Sequence, residues 1–139
     1  MLRLVLAIVG GVVVAFVLVF ATELLFHAIS PAAGTVPDPS DREAMRTYVS
    51  AQPLSAKLAV LAGWTLAAFA GSAVAARFGG RGRWPGWVVA GLFLAATASN
   101  FLMFPHPTWM VAAAVALIVA AGWLGARLFA RTTREGRAA

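Results

Sequence analysis

Cysteine is absent from the 139 residues. With it go disulfide frameworks, thiolate zinc sites, iron–sulfur clusters and cysteine nucleophiles. Charge is scarce too: Asp, Glu, Lys and Arg make up 12% of the chain, about half of the roughly 25% usual in soluble domains. A soluble protein of this size needs polar side chains to cover its surface, so an ordinary water-soluble domain is excluded. Intrinsic disorder is excluded as well, since it requires low hydrophobicity and high charge. What the chain has in excess is apolar: 61% of its residues are hydrophobic, against roughly 45–50% in globular proteins. These proportions imply a single integral membrane domain over residues 1–139.

Four apolar runs carry that reading, at about 4–26, 54–76, 85–104 and 108–129. Each is 20 to 23 residues long, and at about 1.5 Å per residue each spans a hydrocarbon core of roughly 30 Å. Backbone amides in lipid must pair within their own segment, so the runs are expected to be α-helices. The strict alternation of barrel strands is missing. Met1-Leu2-Arg3 before an apolar stretch also opens a signal peptide. That stretch, however, is longer than the 7–15 residues usual for the role, and no small-x-small cleavage site follows it directly. It is expected to stay as a membrane helix.

Ten of the eleven basic residues are arginine, which with abundant Ala, Gly and Val hints at a bacterial source. Arg3, Arg77, Arg81, Arg83, Arg127, Arg131, Arg134 and Arg137 fall on one side of the threading, against Arg42, Arg46 and Lys57 on the other. By the positive-inside rule both termini, the 77–84 loop and the 130–139 tail are expected in the cytoplasm of a bacterial inner membrane. The basic charge thus reads as topology, and no nucleic-acid partner is expected. Trp84, Trp87 and Trp109 sit where an aromatic belt would place them.

The outer loop, 27–53, is the only sizeable polar segment. In it Ser40-Asp41-Arg42-Glu43 reads as a capping box, with Ser40 as N-cap, opening a short amphipathic helix from Asp41 to about Ala51. Its apolar face carries Ala44, Met45, Tyr48 and Val49, and Pro53 ends it. Pro105-His106-Pro107 is a tight hairpin that makes its two flanking helices antiparallel neighbours. The glycine-rich 78–83 link lacks the strand and lysine that a phosphate-binding loop requires.

Small residues recur every four positions. Gly63, Ala67, Gly71 and Ala75 form the clearest stripe, because two glycines weaken a helix unless packing compensates them. Ala7/Gly11/Ala15, Gly91/Ala95/Ser99 and Ala112/Ala116/Ala120 repeat the pattern. Such stripes let membrane helices approach closely, either within the bundle or across a homodimer.

The membrane-embedded polar groups gather toward the outer end: Glu23, His27 on the same helical face, Lys57, Asn100 and His106. An ionisable residue in a membrane helix is a candidate functional group, less so near the interface. For Glu23 the plainer reading is an ion pair with Lys57 or a carboxylate reaching water; the functional one is a proton or cation acceptor with His27 and Asn100 as partners. The two histidines with Glu23 or Asp38 lack HxxxH or HExxH spacing, so no metal and no other cofactor is expected. Nucleophilic catalysis has little support, since Thr65, Ser72, Thr97 and Ser99 have no base of matching depth, Ser99 near His106 excepted.

The Glu23/His27 turn, Gly71-Ser72-Ala73 with Ala75-Ala76-Arg77, and Pro105-His106-Pro107-Thr108-Trp109 together resemble small bacterial four-helix membrane proteins of unassigned activity. Small multidrug transporters also have four helices and a glutamate in the first, but their glutamate lies mid-membrane and they lack a long outer loop. Fluoride channels share the size and differ in their Asn and Phe arrangement. The expectation is an all-α, four-transmembrane-helix up-and-down bundle with a short amphipathic helix in its first outer loop. It acts as a non-enzymatic accessory or structural component, in contact with lipid and with a second copy or another membrane protein. The alternative is a small transporter or proton-linked permeability element built on Glu23.

Overall fold

A computed structural model describes residues 1–29 and 35–130, apart from the side chains of His27 and Ile29. Five helices make it up: α1 (Leu2–Ile29), α2 (Arg42–Ala51), α3 (Leu54–Gly79), α4 (Trp84–Met103) and α5 (Thr108–Phe129). The four long ones are long and apolar enough to cross a membrane. The bounds of α5 coincide with the apolar run, while α3 continues three residues beyond it. Arg77 does not stop α3, because a charge at a helix C-terminus is favourable. The helix ends where Gly80 turns left-handed, at φ 69° and ψ 15°, a conformation that costs glycine little. The glycine-rich link is therefore a helix stop and a turn.

The start of α2 lies one residue beyond the expected capping box. Asp41, not Ser40, is the N-cap, and its carboxylate accepts the Glu43 and Ala44 N–H groups at 3.1 and 3.0 Å. Ser40 instead directs its N–H and hydroxyl to Asp38 Oδ1, at 2.8 and 2.7 Å. A carboxylate caps a helix N-terminus at least as well as a hydroxyl, which accounts for the shift. Met45 is buried, and Ala44, Tyr48 and Val49 are half-buried.

α3 is the central helix, touching α1, α4 and α5. Half of its spanning stretch is buried, against 17% of α1's. α4 also touches α1 and α5, and those two do not meet. Small residues set the spacing. A Cβ built on Gly11 would lie 2.5 Å from the Gly71 carbonyl oxygen, and one on Gly71 would lie 2.6 Å from that of Gly11. Gly63 admits Thr22, Gly122 admits Ala90, and Gly125 rests on the Phe69 carbonyl. Ala67 and Ala75 are wholly buried, so all four residues of the α3 stripe lie in the interior.

The stripes of α4 and α5 do not. Gly91, Ala95 and Ser99, and likewise Ala112, Ala116 and Ala120, are exposed. These helices bury other faces, built on Gly86, Val89, Phe93 and Thr97 in α4 and on Met110, Ala114, Ile118 and Gly122 in α5. On those faces Gly86 packs against Ala126 and Gly122 against Ala90, so close approach there, and not on the other small-residue stripes, selects the buried side.

The two ends of the helices differ. At one, Arg3 reaches from the first turn of α1 to Phe78 on the last turn of α3, and Gly79 packs on Pro85. Arg77, Arg81, Arg83 and Arg127 belong to this end; every described acidic residue lies at the other or in the loop beyond it.

Candidate functional site

The polar end is organised around Thr22, Glu23 and Trp64. With Phe26, Ala59 and Val60 they line a cavity of about 180 Å³. Gly63 determines its position, because the absence of a side chain there brings Thr22 against α3. The Thr22 hydroxyl is committed to its own helix, directed to the Leu18 and Val19 carbonyls at 2.9 and 2.8 Å. Its single proton is thus unavailable to Glu23. The Glu23 side chain is exposed at the mouth of the cavity, whose other walls are apolar apart from Thr22 and the Trp64 ring.

Trp64 joins this cavity to His106. The indole is buried and meets Phe101 edge-on, with centroids 5.6 Å apart, and His106 at 6.1 Å. His106 also meets Phe101 at 5.2 Å, and its Nδ1 lies 2.8 Å from the Phe104 carbonyl oxygen. A carbonyl only accepts, so the contact requires a proton on Nδ1. The half-buried imidazole closes the top of an aromatic cluster rather than standing free in a loop. Nothing but position next to Gly63 marked Trp64 as the connecting residue; as an isolated tryptophan in an apolar run it reads as packing.

The cations have structural tasks. Lys57 Nζ donates to the Ser50 carbonyl at 3.0 Å, and among the described residues no ion pair joins it to Glu23. Arg42 donates to the Leu102 carbonyl near the end of α4, and Arg3 Nε to the Phe78 carbonyl at 2.9 Å. Each acceptor is one of the last carbonyls of a helix, which have no partner within it. Lys57, Arg42 and Arg3 therefore serve as C-terminal caps for α2, α4 and α3, reinforced by the helix dipole. Sequence spacing gives no warning of the long-range caps, since Arg3 and Phe78 are 75 residues apart.

Asn100 is half-buried, and its carbonyl accepts the Phe104 N–H at 2.8 Å, ending α4. It does not line the Glu23 cavity. The His27 side chain lies outside the described residues, as do Arg131, Arg134 and Arg137. Of the five expected residues, then, Glu23 lines the cavity together with Trp64 and His106 packs on Trp64, whereas Lys57 donates to Ser50 and Asn100 lines no part of the cavity. Among the described residues no three of His, Asp and Glu gather within reach of one metal ion. Outside the spanning helices, the Ser40 N–H and hydroxyl hold the Asp38 carboxyl below its ordinary range. Chemically, the site offers one carboxylate beside a small, largely apolar cavity.

No family model, curated protein or solved structure matches the chain.

Proposed function

We propose that the chain is a bacterial inner-membrane protein that threads the bilayer four times as an up-and-down bundle. Both termini are cytoplasmic, α2 lies at the outer interface, and the protein works as a non-enzymatic accessory or structural component through helix contacts. The observation that carries this reading is the filled interior. α1 and α3 meet backbone to backbone at Gly11 and Gly71, and the surrounding core is Ala, Leu, Phe, Ile, Met and Trp. Among the described residues the buried polar side chains, Ser72 and Thr97, offer no relay: Thr97 bonds the Phe93 carbonyl of its own helix, and the Ser72 hydroxyl finds no partner among them. A conducting protein needs a polar or wet path where ions cross.

The outward stripes of α4 and α5 support the choice of helix contacts as the mode of action. They are small-residue faces not used internally, and a Cβ on Gly91 would meet nothing within 4 Å. The test is crosslinking in native membranes with Ala116→Cys and Gly91→Cys on this cysteine-free background. The proposal expects a discrete dimer or a defined adduct; exclusive recovery of monomer with both variants would overturn it.

The cavity beside Glu23 favours a second reading, a small transporter or proton-linked permeability element using Glu23 with His27 and Asn100. Reconstituted vesicles containing Glu23→Gln decide between the two. A proton or cation flux that the wild type supports and this variant abolishes would establish the second reading.

A further inference from the structure

At the arginine end, α1 and α3 leave a groove between them. Its ridges are Leu2, Leu6 and Gly10 on α1, each four residues apart, and Val74 and Phe78 on α3, also four apart, with Arg3 at the mouth. The groove encloses about 500 Å³. From Leu2 to Gly10 it runs about 12 Å along the helix, roughly two-fifths of the hydrocarbon core. At its inner end Gly10 leaves a notch, since a Cβ there would meet nothing within 4 Å.

Arg3 is held in place. Its Nε donates to the Phe78 carbonyl, and the guanidinium carbon lies 3.4 Å from the position a Cβ on Gly80 would take. That geometry leaves the two terminal nitrogens, which form the fork that matches a phosphate. Arg77 lies one turn beyond Val74, Arg81 follows in the turn after α3, and no described carboxylate lies at this end. An apolar channel ending in a fixed guanidinium has the charge pattern of an anionic phospholipid: acyl chain along the groove, phosphate at its mouth.

We infer that the α1/α3 groove is a binding site for one anionic phospholipid, its phosphate on Arg3 and one acyl chain lying over Gly10. The inference rests on the four helices being membrane-spanning and is independent of the accessory role.

Full-length protein in phosphatidylcholine nanodiscs, titrated with phosphatidylglycerol and read by native mass spectrometry, tests it. Wild type should retain one phosphatidylglycerol saturably. Arg3→Gln should weaken retention about fivefold, the weight of one arginine at an anionic surface. Gly10→Leu, which fills the notch without touching a charge, should weaken it comparably while leaving helix content unchanged. Arg127→Gln, whose guanidinium sits 4.9 Å over the Trp123 ring, should leave retention unaltered. Equal loss with Arg127→Gln would mean diffuse attraction and overturn the site. So would Gly10→Leu binding like wild type, or millimolar inorganic phosphate displacing the lipid, because either outcome removes the acyl chain from the site.

Discussion

Adjacent glycines in α1 should respond in opposite senses to the same added methyl group. Gly10 faces open space, so Gly10→Ala gains helix propensity, up to about 1 kcal/mol, without a clash. Gly11 faces α3. A Cβ there would lie 2.5 Å from the Gly71 carbonyl oxygen, and 3.1 Å from both the Ala75 Cβ and a Val89 methyl. Ordinary contact begins near 3.4 Å, so α1 must back away from α3 by up to about 0.9 Å. The oxygen belongs to the backbone and cannot rotate aside. A gap of that size forfeits roughly a quarter to a half of each dispersion contact it opens. Overpacking on this scale costs about 2–3 kcal/mol, and propensity returns about 1. Gly11→Ala should therefore destabilise by about 1–2 kcal/mol, and the two variants should differ by about 2–3 kcal/mol, a factor of at least about thirty in the unfolding constant. Reversible unfolding in mixed micelles of mild detergent and dodecyl sulfate, followed by tryptophan fluorescence, measures both. Equal behaviour of the two variants, or stabilisation by Gly11→Ala, would refute the close approach of α1 and α3.

Gly80→Ala should destabilise by about 1–2 kcal/mol in the same assay, because a Cβ is strained at φ 69°. Arg42→Gln removes a charged cap from the last turn of α4. Hydrogen exchange over residues 42–51 should accelerate about fivefold, the effect of roughly 1 kcal/mol, while the α3 core stays protected. Asp38 should titrate below 3.8, and Ser40→Ala should move its midpoint part of the way back, since the backbone N–H remains. As the folded carboxyl is the stronger acid, its contribution is present above its ordinary value and is lost as pH falls through the lowered one. An NMR titration of the side chain checks both position and sign.

The four long helices were legible because a bilayer leaves backbone amides no alternative to helix, so length and apolar content suffice. The α3 stripe was legible because glycine in a helix is unfavourable without a packing reason, and Gly63 and Gly71 each receive a neighbour. Alanine carries no such penalty, which is why Ala112, Ala116 and Ala120 were indistinguishable from an inward face until α5 was seen to bury Met110, Ala114 and Ile118 instead. At the polar end, sequence position carries depth but not direction. Depth placed Glu23, Lys57, Asn100 and His106 in one layer, but direction around each helix depends on neighbours far along the chain. Lys57 turned to Ser50, and His106 packed on Trp64 rather than lining the cavity beside Glu23. Asp41 displaced Ser40 as cap because several candidates stood side by side and a one-residue shift changes little in energy.

The absence of cysteine allows the proposed bundle, sealed and crossing the membrane four times, to be probed with single-cysteine variants. Single-cysteine variants at Asp38, Gly82 and Ile118 would be exposed to a membrane-impermeant maleimide in intact cells, in lysed cells, and after denaturation. Asp38→Cys should be labelled in intact cells, Gly82→Cys only after lysis, and Ile118→Cys, 1% exposed in the fold, only after denaturation. Labelling of positions 38 and 82 from the same face would contradict the threading, and reaction at position 118 in the native membrane would contradict the sealed interior.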